Sequence, residues 1–199
     1  MHISANAYNA AVYRLENCMF ITRLAYASDK PVLEALIRKS GLGLAAGFYT
    51  PKQAAAITSE IYGVDSALVA DGTYFAIELA DTIVACGGWG KRAIDCGGDQ
   101  AKRGDDRLLD PATEPARIRA FFVDPDYARR GLGAMLLDHC TKAAARAGFT
   151  ALELVATMPG EPLYLRYGFK ALEKFEMHLS GGVSVALRRM RKEIGPAQR

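Results

Sequence analysis

Residues 118–137 read IRAFFVDPDYARRGLGAMLL, and no other stretch constrains the fold as tightly. Apart from Arg119, residues 118–123 are apolar enough for a buried strand. Asp124-Pro125-Asp126 then imposes a polar turn, followed by two arginines and Gly131-Leu132-Gly133. From Leu132 onward, Met135, Leu136, Cys140, Ala143, Ala144 and Ala147 recur at spacings of three and four, which predicts an amphipathic helix that Gly148 ends. A strand delivered into a helix through such a turn leaves the first helical N–H groups without acceptors, at the positive end of the helix dipole. That is a seat for phosphate oxygens, and glycine there keeps a side chain from holding the phosphate off the main chain. The stretch therefore predicts an anionic, phosphate-bearing ligand.

The rest of the chain alternates between strand and helix periods. Residues 1–18 carry little period and read as an N-terminal extension; 19–192 read as one domain and 193–199 as a tail. Residues 20–26 alternate like a half-buried strand. Ser28 and Asp29 offer caps ahead of Pro31, and Val32, Leu33, Leu36 and Ile37 give a helical stripe to about Lys39. Residues 41–47 form a glycine-rich break, after which Thr50-Pro51 opens a second helix ending near Tyr62-Gly63. Residues 73–79 and 82–89 read as strands joined by a tight turn at Ala80-Asp81. The polar, glycine-rich residues 90–115 read as a surface loop. A strand at 152–155, a short helix at 161–167 and a closing hairpin of 170–179 with 183–190 around Ser180-Gly181-Gly182 complete the order, which predicts one α+β domain with a mixed sheet.

Composition excludes several classes. A length of 199 residues suits one domain with a real core. A net charge of +3 and a pI near 8.7 suit a small anionic ligand but are too weak to argue for nucleic acid. The basic run of Arg188, Arg189, Arg191 and Lys192 reads as a solvated strand end. Cys18, Cys86, Cys96 and Cys140 form no CxxC pair, and His2, His139 and His178 are scattered. Neither a metal site nor a disulfide framework is expected, which points to a reducing compartment. No apolar run nears the ~20 residues of a spanning helix, and the start lacks a signal-peptide pattern. The expectation is a cytoplasmic protein without nucleic-acid or membrane partners.

Two motifs carry a resemblance to a known family. Val123-Asp124-Pro125, followed by Ala128-Arg129-Arg130-Gly131-Leu132-Gly133, resembles the V-x-P and [QR]-x-x-G-x-[GA] pattern of the GCN5-related N-acetyltransferase superfamily. Its second pattern, Y-x-x-x-G-F, is similar to Tyr164-Leu165-Arg166-Tyr167-Gly168-Phe169. The resemblance covers residues 20–192 and departs at Ala128, where the family has Gln or Arg. It implies a mixed, mostly antiparallel central sheet flanked by helices, with acetyl-CoA as cosubstrate. By the same resemblance, the main-chain N–H groups of Arg129, Arg130, Gly131, Leu132, Gly133 and Ala134 would hold the pyrophosphate. The edge of Phe121, Phe122 and Val123 would pair with the pantetheine amides. A G-x-G-x-x-G dinucleotide site fails here, because Leu136 holds the third glycine position and Gly131 stands too far beyond the strand.

Tyr164 is the candidate for chemistry. A phenol with a pKa near ~10 is protonated at neutral pH and could donate to a departing CoA thiolate. The alternative for Tyr164, and more strongly for Tyr167, is core packing. No general base stands out: the strand before the turn offers Arg117 and Arg119, while Glu114, Glu153, Asp95 and Asp99 all read as surface or strand carboxylates. Trp89 reads as packing at a strand end or as lining of the acceptor cleft, and His139 and His178 as structural. The expected reaction is direct attack of a primary amine, on a small molecule or a peptide, upon the thioester. Residues 41–50 and 180–183 flank the acceptor. A CoA-sensing module without turnover and a transferase of longer acyl groups remain alternatives. Residues 183–187 could pair in a homodimer.

Overall fold

The structure is a computed structural model that describes residues 12–15 and 18–195. In chain order its elements are β1 (Val12–Leu15), β2 (Cys18–Leu24), α1 (Lys30–Gly43), α2 (Pro51–Glu60), α3 (Ser66–Ala70), β3 (Tyr74–Leu79), β4 (Thr82–Gly90), β5 (Arg92–Cys96), β6 (Arg103–Leu108), β7 (Ala116–Val123), α4 (Leu132–Arg146), β8 (Ala151–Thr157), α5 (Glu161–Arg166), β9 (Lys170–Leu179) and β10 (Val183–Glu193). Eight strands form one sheet in the order β1-β2-β3-β4-β7-β8-β10-β9, and β5 pairs separately with β6. Among the described strands the β7–β8 pair is parallel and the others antiparallel. The mixed, mostly antiparallel sheet flanked by helices is thus the fold the sequence leads one to expect.

Helices cover both faces of the sheet. Met135, Leu136 and Cys140 of α4 pack on Ile77, Val84, Ile118 and Leu152. On the opposite face Leu33, Leu36 and Ile37 of α1 meet Tyr74, Ala76, Cys86 and Phe122, while Ile57 of α2 joins Val185 and Leu187 of β10. Burial on both faces explains why β3 and β4 read as nearly continuous apolar runs. Local chemistry places the boundaries. Ala80 and Asp81 take φ of 46° and 62°, as a two-residue hairpin with the right twist requires. Thr50 and Gln53 form a reciprocal capping box at α2, and Gly148 ends α4 at a φ of +92°.

Several boundaries depart from the sequence pattern. β1 lies inside the stretch read as an extension and adds an edge strand to the sheet; residues 1–11 lie outside the described ones. In the stretch read as a break at residues 41–47, residues 44–47 do leave the helix, whereas 41–43 form the last turn of α1. Its glycines are there for approach: a Cβ on Gly41 would lie 2.6 Å from Thr58 Oγ1, and one on Gly43 2.5 Å from Pro125 Cγ. Asp29 is the N-cap residue of α1 but makes no side-chain cap bond to it; its carboxylate takes Arg23 at 2.7 Å and, at 2.8 Å, the Tyr26 N–H at the start of the preceding 3-10 turn. The loop read at 90–115 contains the β5–β6 hairpin, in which Ile94 is the one buried apolar residue among the described strand residues, so no apolar alternation marks it. α3 is too short to show a helical period, and β10 runs on to Glu193, inside the stretch read as a tail.

Candidate active site

β7 and β8 pair only at Ala116–Leu152 and Arg117–Glu153, and beyond that point the sheet opens. On its other side β7 stays paired with β4 as far as Val123. That pairing contains a bulge: Ala120 and Phe121 together oppose Gly87, and Ala120 has a φ of 55°. A Cβ on Gly87 would collide with the Phe121 ring, so glycine there makes room for that ring. Asp124 N–H bonds back to Val84 O at 2.9 Å, and the alternation of strand amides turns those of Phe121 and Val123 toward the opening. The Val123 N–H is met there by Ser40 Oγ of α1 at 3.1 Å.

The turn after β7 is held by Lys39, which bridges Asp124 at 2.8 Å and Asp126 at 2.6 Å. Arg129 and Gly131 then take φ of 65° and 84°, and Gly131 is the N-cap of α4 without any side-chain cap. The Met135 N–H reaches Gly131 O at 3.0 Å, so those of Leu132, Gly133 and Ala134 precede the first helical bond. Left-handed residues in such a turn make successive amides converge into an anion-binding concavity. The two glycines have different reasons. A Cβ on Gly131 would meet no protein atom within 4 Å, so the backbone angle selects glycine; one on Gly133 would lie 2.9 Å from Leu163 Cδ2, so the packing of α4 on α5 selects it. Leu132 buries its side chain in the core and offers only its amide. Arg130 lies over the Tyr127 ring at 5.4 Å.

The opening deepens into a cavity of about 740 Å³. Phe121, Phe122, Val123, Arg129, Gly131, Leu132, Gly133, Ala134 and Tyr164 all border it; Arg130 stands outside the lining. α5 buries Tyr164 between the rings of Phe121 at 6.2 Å and Phe169 at 5.6 Å. Burial pushes its phenol well above the ordinary value, so the group is a neutral proton donor. Tyr167 borders the same cavity more openly. Trp89 packs edge-on against Phe149 at 5.9 Å in the core, away from the cleft.

The carboxylates weighed in the sequence as bases are held by cations. Glu114 is bound by Arg107, which with the Asp110 N–H brings it down to about 2. Glu153 takes Arg117 at 2.7 Å and Arg189 at 2.8 Å. Asp95, which borders the cavity, takes the same two arginines. For Asp99 burial works upward, but hydrogen bonds from Ser66 and Lys30 prevail and bring it to about 2. Arg119 is buried against the wholly buried Asp65 at 2.6 Å and donates to Gly97 O at 2.6 Å. Ser40, Asp65 and Tyr62, whose ring meets Phe122 edge-on at 5.1 Å, were not found from the sequence. Ser40 had one signal: it continues the stripe of Leu33, Leu36 and Ile37, and a polar residue on an apolar stripe needs a partner. Among the described residues no group of three or more His, Cys, Asp or Glu side chains could hold a metal, and no helix is long and apolar enough to cross a membrane.

A family profile for the acetyltransferase (GNAT) domain matches residues 70–171. Among curated proteins no sequence matches. Solved structures do. A GCN5-related N-acetyltransferase from Rhodopseudomonas palustris is 22% identical over 87% of this chain and 94% of its own, with a TM-score of 0.65. The PaiA N-acetyltransferase of Thermoplasma acidophilum, solved in complex with coenzyme A, is 15% identical over 87% and 98%, with a TM-score of 0.61. The GNAT domain of PAT from S. lividans is 15% identical over 96% and 100%, also with a TM-score of 0.61.

Proposed function

Because this chain belongs to the acetyltransferase (GNAT) domain family, we propose that it transfers an acetyl group from acetyl-CoA to a primary amine by direct attack. The observation that carries this reading is the continuity of the amide turn at residues 129–134, the opened edge of β7 and the Tyr164 phenol around one cavity. The residues fit the donor: convergent N–H groups at a helix N-terminus suit a diphosphate, and strand amides facing an opening suit an amide-bearing arm. Acetyl-CoA supplies the activated acyl group.

The chain's own residues supply positioning and one proton. Holding amine and thioester in line within the cleft removes much of the entropic barrier. Main-chain donors on the 121–123 strand would polarise the thioester carbonyl as charge develops on its oxygen. As the C–N bond forms and the C–S bond breaks, Tyr164 protonates the sulfur, and the proton lost by the nitrogen is relayed through water to the phenolate, which restores the phenol. Ser40 yields the Val123 N–H when the arm takes its place.

Calorimetric titration with coenzyme A, together with thiol release from acetyl-CoA, tests the reading. Tyr164→Phe should lower turnover by about 100-fold or more while sparing coenzyme A affinity; unchanged turnover removes its role. A second reading is favoured by the ion-paired state of Asp95, Asp99, Glu114 and Glu153: a module that binds acyl-CoA without transfer. It predicts tight binding and no free thiol with any amine.

A further inference from the structure

Beyond Tyr164 the cavity continues to the face of the sheet covered by α1 and α2, away from the amide turn. Its wall there is apolar and aromatic: Leu44, Phe48, Tyr49, Ile57, Tyr62 and Leu187. Ile57 and Leu187 belong to the core, whereas Phe48 is 51% exposed, a large apolar ring left in water at the cavity's margin. The polar groups of this wall are already engaged. Tyr49 donates its hydroxyl to Ala186 O at 2.7 Å and accepts from the Met158 N–H at 3.1 Å. Two of the charged groups lining it are matched as well: Asp95 with Arg117 and Arg189, and Arg119 with Asp65. A polycation would have to give up its water against a lining whose one carboxylate among the described residues, Asp95, is already ion-paired.

Resting on the acetyltransferase reading above, we infer that the acceptor is a small monoamine with an apolar, aromatic body. The body fills the wall of α1 and α2, and the amine points to the thioester beside Tyr164. This assignment also supplies what the carboxylates do not. An ammonium drawn into an apolar cavity loses its proton more readily, because desolvation penalises the charged form. The amine therefore arrives neutral, its proton having gone to bulk water, and no side-chain base is needed. The reaction balances as RNH2 plus acetyl-CoA giving the N-acetyl amine plus the free thiol.

The test measures thiol release from acetyl-CoA with 2-phenylethylamine and with spermidine, alongside calorimetric titration of coenzyme A. The expected result is a kcat/KM at least about 100-fold higher for phenylethylamine. Phe48→Glu, at a half-exposed position, should raise KM for phenylethylamine about ten-fold and leave coenzyme A affinity intact. Equal or better use of spermidine, or an unmoved KM in Phe48→Glu, overturns the acceptor assignment. Coenzyme A binding without turnover of phenylethylamine also overturns it, and absence of coenzyme A binding overturns the acetyltransferase reading beneath it.

Discussion

Replacing Gly131 with alanine probes the amide turn at its most constrained point. The residue has φ 84° and ψ 2°, and a side chain in that left-handed region costs about 1–2 kcal/mol. No steric term adds to this, since the new Cβ would meet no protein atom within 4 Å. In a chain of this size each kcal/mol lowers Tm by about 2–4 °C, so Gly131→Ala should melt about 2–8 °C lower if it keeps the native turn. If alanine instead escapes the left-handed region, the N–H groups of Leu132 and Gly133 swing off their common focus. A hydrogen bond to a charged group is worth about 1.5–3 kcal/mol, so losing one raises the Kd for coenzyme A about 10- to 150-fold. Thermal unfolding and calorimetric titration measure the two effects separately. Gly131→Asn is the control, because asparagine tolerates the left-handed region better than alanine and should keep a Tm closer to the parent. A Gly131→Ala protein with unchanged Tm and unchanged Kd would refute both the conformational argument and the amide cradle.

Three further outcomes are expected. Arg119→Met leaves the buried Asp65 with Lys102 at 2.8 Å as its remaining cation, and should cost about 3 kcal/mol in urea denaturation; parental stability would contradict the buried pair's role. Asp99 has a folded pKa of about 2, below its ordinary 3.8, so its contribution is present above about pH 4 and is lost as pH falls toward 2. The Tm gap between parent and Asp99→Asn should therefore close over that window, and a gap independent of pH would count against the ion pair with Lys30. Gly87→Ala forces the Phe121 ring from its place and should cost about 1–3 kcal/mol of stability along with turnover; full acetyl transfer by this variant would exclude Phe121 from the reacting geometry.

The sequence by itself determined what neighbours along the chain decide. The strand, turn and helix of residues 118–147, the Thr50-Pro51 helix start, the Ala80-Asp81 hairpin and the family's two motifs in order were all legible, because period and turn chemistry act over a few residues. Polar hairpins and short helices were not: β5–β6 buries one apolar residue and α3 spans barely a turn, so neither leaves a period to read. Tertiary structure alone decided how the site is built. The parting of β7 from β8, the Ser40 hydroxyl on the Val123 amide and the Arg119–Asp65 pair join residues 36, 83 and 54 positions apart. A periodic pattern tells which face of an element is buried, but not which distant group will lie against it. For that reason the sequence pointed to the turn with free amides, while the apolar wall of the same cavity emerged only when α1, α2 and β10 met across the opened sheet.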